Sequence, residues 1–89
     1  MTELHLRNNQ IGDEGVSTLA SAHHPRLELL SLSSNQIGDV GANHLQQAIE
    51  SNRWPNLRQL YVGGNTLGVE KRAELKASCQ KRNISVPYL

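Results

Sequence analysis

The chain has 89 residues, 37% of them hydrophobic, with nine Lys and Arg against eight Asp and Glu and a formal net charge of +1 at pH 7. That length holds one small domain, and the near balance of charge excludes the basic footprint of a nucleic-acid binder and disfavours a membrane-surface role. No run approaches the about 18 consecutive apolar residues of a membrane span, no basic-then-apolar leader opens the chain, and one cysteine cannot close an intrachain disulfide, so a cytoplasmic setting is expected.

Thirteen of the residues are Leu and none is Phe. Their placement is periodic. The opening segment MTELHLRNNQIG (1–12) returns as LELLSLSSNQIG (27–38) and as LRQLYVGGNTLG (57–68), with Asn9, Asn35 and Asn65 at spacings of 26 and 30 residues. Such self-similarity is the signature of a stacked-repeat architecture. In the first copy, Leu4 and Leu6 alternate with polar neighbours, which predicts a short strand with its apolar members on one face. Asn9 stands where the chain leaves that strand, and its amide can satisfy backbone groups in a tight bend. Gly12 is expected at a positive φ, and Asp13 reads as the N-cap of a helix that carries Val16 and Leu19. Gly15 is expected to let a neighbouring helix approach.

The second copy repeats each feature: Leu30 and Leu32 in a strand, Asn35, Gly38 at a positive φ, Asp39 as N-cap, Gly41 for close approach, and Leu45 in the helix. Registered on the asparagines, His23, Ile49 and Cys79 share one offset, which places His23 at the edge of the core. Trp54 falls in the longer loop that enters the third copy and reads as a plug over Ile49 and Leu57. The third copy has Leu60, Val62, Asn65 and Gly68, the last again expected at a positive φ, then breaks the helix-start pattern with Val69 and Lys71. Its helix carries Glu70, Arg72, Glu74, Lys76, Lys81 and Arg82, and only a half-strand at 84–86 follows before Pro87, Tyr88 and Leu89. A charged last helix of this kind reads as a terminal cap with a wettable outer side.

The spacing LxxLxLxxNxI/LG followed by a helix resembles the leucine-rich repeat, specifically the long ribonuclease-inhibitor-like subtype, over essentially the whole chain. The resemblance implies an α/β solenoid of three strand–helix repeats, at about 1–26, 27–56 and 57–89, with parallel strands on the concave face and helices on the convex face. It implies partner binding through the outward strand positions: Glu3, His5, Arg7 and Asn8; Leu29, Ser31, Ser33 and Ser34; Gln59, Tyr61, Gly63 and Gly64. Down the stack, His5, Ser31 and Tyr61 form one column and Arg7, Ser33 and Gly63 the next. Arg7, Leu29 and Tyr61 are the expected anchors, since Arg and aromatic residues dominate binding hot spots.

Met1 occupies the first leucine position of a repeat, leaving Leu4, Leu6, Ile11, Val16 and Leu19 on an uncovered edge. That edge reads as the cut face of a longer solenoid or as a surface that pairs with a second molecule, a homodimer being the simplest case.

No enzyme chemistry is expected. His23 and His24 are adjacent and point about 100° apart on a helix, unlike the i, i+4 pair of a zinc helix, so no metal or other cofactor is predicted. Cys79 falls on the inward helix face and reads as a small buried hydrophobe rather than a nucleophile. The serines lack a positioned His and Asp, and the glycines lack the Lys-Ser/Thr of a phosphate loop. The leading expectation is a non-enzymatic protein–protein interaction module. The alternatives are a structural or engineered solenoid piece that self-associates, and, by the resemblance, a fragment of a small-GTPase activator.

Overall fold

The computed structural model describes residues 2–87 and 89; Met1 and Tyr88, both invoked above, lie outside the described residues. The elements alternate: β1 (Glu3–His5), α1 (Gly12–Ala20), β2 (Leu29–Ser31), α2 (Asp39–Glu50), β3 (Gln59–Tyr61) and α3 (Val69–Lys81). The strands form a parallel sheet in the order β1-β2-β3, in a register that pairs Leu4 with Leu30 and Leu30 with Leu60. Ser85 adds a further parallel bridge beside Gln59, with the Leu60 N–H donating to the Ser85 carbonyl at 2.8 Å. Each helix packs only on the next, α1 on α2 and α2 on α3. Among the described residues no helix is long and apolar enough to cross a membrane.

The leucine ladder is the core. Leu30, Leu32, Ile37 and Leu45 of the middle repeat are fully buried, as are Leu60 and Leu75 of the third. Their counterparts in the first repeat, Leu4, Leu6, Ile11 and Leu19, are only partly covered, whereas Val16, expected on the same uncovered edge, is fully buried in the core cluster. Trp54 is buried in the same cluster as Ile49 and Leu57, so the plug reading holds. Ile84, Val86 and Leu89 cover the far end of the ladder.

Asparagines stitch the turns together. The Asn35 side-chain oxygen accepts the N–H groups of Asn9 (2.8 Å) and Ile11 (3.2 Å), while its amide nitrogen donates to the carbonyls of Leu6 (2.7 Å) and Ser33 (3.1 Å). Asn65 does the same one repeat on, accepting from Asn35 and Ile37 and donating to Leu32 and Val62. Each asparagine thus satisfies backbone groups of the preceding repeat that the tight bend leaves unpaired.

The helix starts differ from expectation. Asp13 and Asp39 are not N-caps; no helix here has a side-chain cap bond. Instead the Asp13 carboxylate accepts the N–H of Gly38 at 2.7 Å, and that of Asp39 accepts the N–H of Gly68 at 2.8 Å. The carboxylate is spent on the neighbouring repeat's helix start, where an otherwise orphaned N–H meets a full negative charge. Positive φ is found at Gly12 (+68°) but not at Gly38 (−105°) or Gly68 (−69°), which are extended caps. Other left-handed residues are Asn8, Gln10, Ser34, Gln36 and Gly64 in the strand-to-helix turns, and Asn52 and Asn83 after α2 and α3. Gly41 does permit close approach: a Cβ there would lie 3.3 Å from the Asp13 Cα. A Cβ at Gly15 would meet only the side chain of its own neighbour Ile11.

At the helix C-termini, arginines of the following repeat take carbonyl oxygens: Arg53 donates to Ser21 (2.8 Å) and Arg82 to Glu50 (2.9 Å). Cations at these negative dipole ends are favourable. α1 ends at Ala20, so His23 lies in the following loop and is exposed rather than at the core edge.

Candidate functional site

The sheet register puts the outward strand residues in columns. His5 sits beside Ser31 and Ser31 beside Tyr61. One residue pair further along, Asn8 N–H donates to the Ser33 carbonyl and Ser34 N–H to that of Gly63, which carries the alignment to the end of the strands. The result is an open groove of about 450 Å³ lined by His5, Arg7, Leu29, Ser31, Ser33, Ser34, Tyr61, Gly63 and Gly64. His5, Leu29, Ser31 and Tyr61 line it from the strands, and Arg7, Ser33, Ser34, Gly63 and Gly64 from the turns just beyond the strand ends. Glu3, Asn8 and Gln59 are exposed on the same side but do not line the groove. Glu3 instead orients a wall residue, its carboxylate lying 3.0 Å from His5 Nε2.

Small residues make the groove. Gly64 is left-handed (φ +70°), and a Cβ there would sit 2.6 Å from the Ser34 hydroxyl oxygen, so a side chain at this position would crowd Ser34. Leu29, Ser31, Ser33 and Tyr61 are half-buried and form the floor, while Arg7 and His5 rise at the β1 side. Among the described residues Arg7 makes no ion pair. The chemistry on offer is one guanidinium, an imidazole, three serine hydroxyls, a phenol ring and an aliphatic side chain. This arrangement can recognise a surface; among the described residues no hydrogen bond joins a groove serine to His5.

Other chemically capable residues stand elsewhere. Cys79 is fully buried, and that burial pushes its thiol up to about 11, away from nucleophilic use. Glu50, at the end of α2, has its carboxyl held below the ordinary range by the Ser78 hydroxyl (2.8 Å) and then by the Gln46 amide, which ties α3 to α2. Among the described residues no three His, Cys, Asp or Glu side chains gather closely enough to hold a metal ion.

The parallel strand–helix repeats, the asparagine stitches and the aliphatic ladder define a leucine-rich-repeat fold. The model of the leucine-rich-repeat family matches residues 1–20 and 23–45. Among solved structures, the chain is similar to the tropomodulin C-terminal domain of Caenorhabditis elegans, with a TM-score of 0.82 and 28% identity. The match covers 97% of this chain and 53% of that one, so the chain spans about half the length of that domain. No curated protein matches it.

Proposed function

We propose that the chain is a non-enzymatic protein-binding module whose concave groove takes an extended segment of a partner protein. The observation that carries this reading is the alignment of the His5, Ser31, Tyr61 and Arg7, Ser33, Gly63 columns into one open channel. Curved repeat stacks use such concave faces for binding. The groove favours a partner segment with an acidic group for Arg7 and an apolar side chain over Leu29 and Tyr61, with small or polar residues against the serines. Repeats at 1–26, 27–56 and 57–89 act as one binding unit in this reading, and full helices after each strand fit the long ribonuclease-inhibitor-like subtype. The buried free thiol of Cys79 suits a cytoplasmic setting.

Selection of peptides from a random display library on the intact chain tests this. The expected binders are rich in Asp and Glu. Their affinity falls about tenfold or more on Arg7→Ala or Tyr61→Ala, the scale of an interface hot spot, and is unchanged by Gln47→Ala on the convex side. Binders that ignore both groove substitutions and respond to the convex one would place the binding surface elsewhere.

A further inference from the structure

Charge is sorted between the two rims of the stack. The segments 21–28, 51–58 and 81–83, which lead from each helix back toward the sheet, hold five of the nine Lys and Arg, namely Arg26, Arg53, Arg58, Lys81 and Arg82, and one acid, Glu28. The turns from strand to helix, 8–14, 34–40 and 64–70, hold Asp13, Glu14, Asp39 and Glu70 and no Lys or Arg. An anion is therefore steered to the first of these rims. Two of its cations are engaged at helix ends, Arg53 on the Ser21 carbonyl and Arg82 on that of Glu50. Arg58 is not, and among the described residues its guanidinium makes no ion pair.

The loops of this rim close differently along the stack. Residues 21–28 join α1 to β2 and residues 51–58 join α2 to β3, and the second loop lies on the first. The Asn56 amide donates to the Pro25 carbonyl at 2.5 Å, and the His24 N–H to the Arg53 carbonyl at 3.1 Å. After α3 only residues 82–84 precede the bridge at Ser85, too short a stretch to cover the loop at 51–58 in the same way. The gap is a cavity of about 400 Å³ lined by Pro55, Asn56, Leu57, Arg58, Arg82 and Asn83. By the strand register the counterpart of Arg58 one repeat earlier is Glu28, so the earlier junction carries an acid at that position.

The walls of the cavity are held by hydrogen bonds. The Arg58 N–H donates to the Glu28 carbonyl at 2.8 Å, and the Arg58 carbonyl accepts the Ser85 N–H at 2.8 Å. Asn83 is left-handed (φ 58°), with its N–H on the Gln80 carbonyl at 3.2 Å. The Arg82 guanidinium is clamped by the Glu50 carbonyl (2.9 Å) and the Asn52 side-chain oxygen (3.2 Å), and it keeps further N–H groups beyond those two bonds. The Glu50 carboxylate accepts the Ser78 hydroxyl at 2.8 Å and forms no ion pair with Arg82 among the described residues.

We propose that this cavity binds a small organic phosphate monoester, with Arg58 and Arg82 on the phosphate oxygens and Pro55 and Leu57 against the organic part. Two guanidiniums brought from different loops match a dianion with three free oxygens, whereas a carboxylate has two oxygens in one plane and is saturated by a single guanidinium fork. The volume falls within the range of about 300–1,000 Å³ usual for small-ligand sites. The cavity shares no lining residue with the concave groove, so this inference is independent of the protein-binding reading.

Phenyl phosphate is the probe, followed by the backbone amide chemical shifts of the intact chain. The expected result is saturable shifts at residues 56–58 and 82–84 with a dissociation constant of about 1 mM or below. Arg58→Gln weakens binding about tenfold or more, the scale of one charge-assisted contact. Arg26→Gln, on the same rim but outside the cavity, and Arg7→Ala, in the groove, leave the affinity unchanged. Equal losses for Arg58→Gln and Arg26→Gln would reduce the site to diffuse rim charge, and a loss on Arg7→Ala would move the phosphate to the groove. Inorganic phosphate that binds as tightly as phenyl phosphate would remove the role of Pro55 and Leu57, and benzoate that does so would replace phosphate by carboxylate. Each of these results overturns the proposal, as does the absence of saturable shifts at about ten times the expected dissociation constant.

Discussion

Replacing Asn35 by Ala tests how the repeats are held together. Its side chain is fully buried and makes four hydrogen bonds: two accepted from Asn9 and Ile11, two donated to Leu6 and Ser33. Truncation strands two backbone N–H groups, each costing about 1–3 kcal/mol when buried, and water reaching the exposed turn at Asn9 recovers part of that. The expected loss is about 3 kcal/mol, out of roughly 5–13 kcal/mol for a chain of this size. Asn9→Ala is the internal control: its exposed amide makes one bond, to its own turn, and the cost is about 0.5 kcal/mol or less. Asn35→Asp adds a directional check. The second carboxylate oxygen would face the Leu6 and Ser33 carbonyls, so the acid is protonated more readily in the folded state. Its stability deficit then shrinks as pH falls below about 5 and grows as pH rises, the opposite of a salt-bridged aspartate. Urea unfolding at several pH values measures all three. Equal losses for Asn35→Ala and Asn9→Ala would refute the claim that cross-repeat bonds, rather than the local bend, are what the asparagines supply.

The remaining predictions concern buried chemistry and close packing. Cys79 is pushed up to about 11 by burial, from an ordinary value near 9, so the folded state disfavours the thiolate. Stability is therefore intact below pH 9 and declines by about 3 kcal/mol as pH rises to 11, at about 1.4 kcal/mol per unit; Cys79→Val removes that decline, and a slope unchanged by the substitution would count against it. Gly41→Ala places a methyl 2.7 Å from Ile37 Cγ2 and 3.3 Å from the Asp13 Cα, which outweighs the gain of about 1 kcal/mol in helix propensity. A net loss of about 1–2 kcal/mol by thermal or chemical unfolding is expected, and a stabilised variant would show that the α1–α2 gap is wider than described.

The ladder of leucines and the asparagine columns were legible in the sequence because they obey a fixed period, and period is what a stack of like units imposes. The columns of the groove followed from the same register. What was not legible belongs to the junctions. Asp13 and Asp39 have the composition of N-caps, and only the packing of one repeat on the next brings a foreign N–H nearer than their own. Positive φ was expected at all three turn glycines, yet two of them are extended because a neighbour's carboxylate is present there. His23 was placed by offset alone. The sequence held a usable signal against that, since Pro25 disfavours helical geometry at His24, next to the position in question.

The stitches across each junction run in opposite directions. Asparagine and arginine reach back to the preceding repeat, while aspartate reaches forward to the next, and they grip at different heights of the wall. No single rupture frees a repeat. In a one-dimensional chain of units, such coupling raises the penalty of a boundary between folded and unfolded neighbours relative to the stability of any one unit. Short stacks with that balance do not fray from an end; they melt as one block, and the slowest-exchanging amides report the stability of the whole.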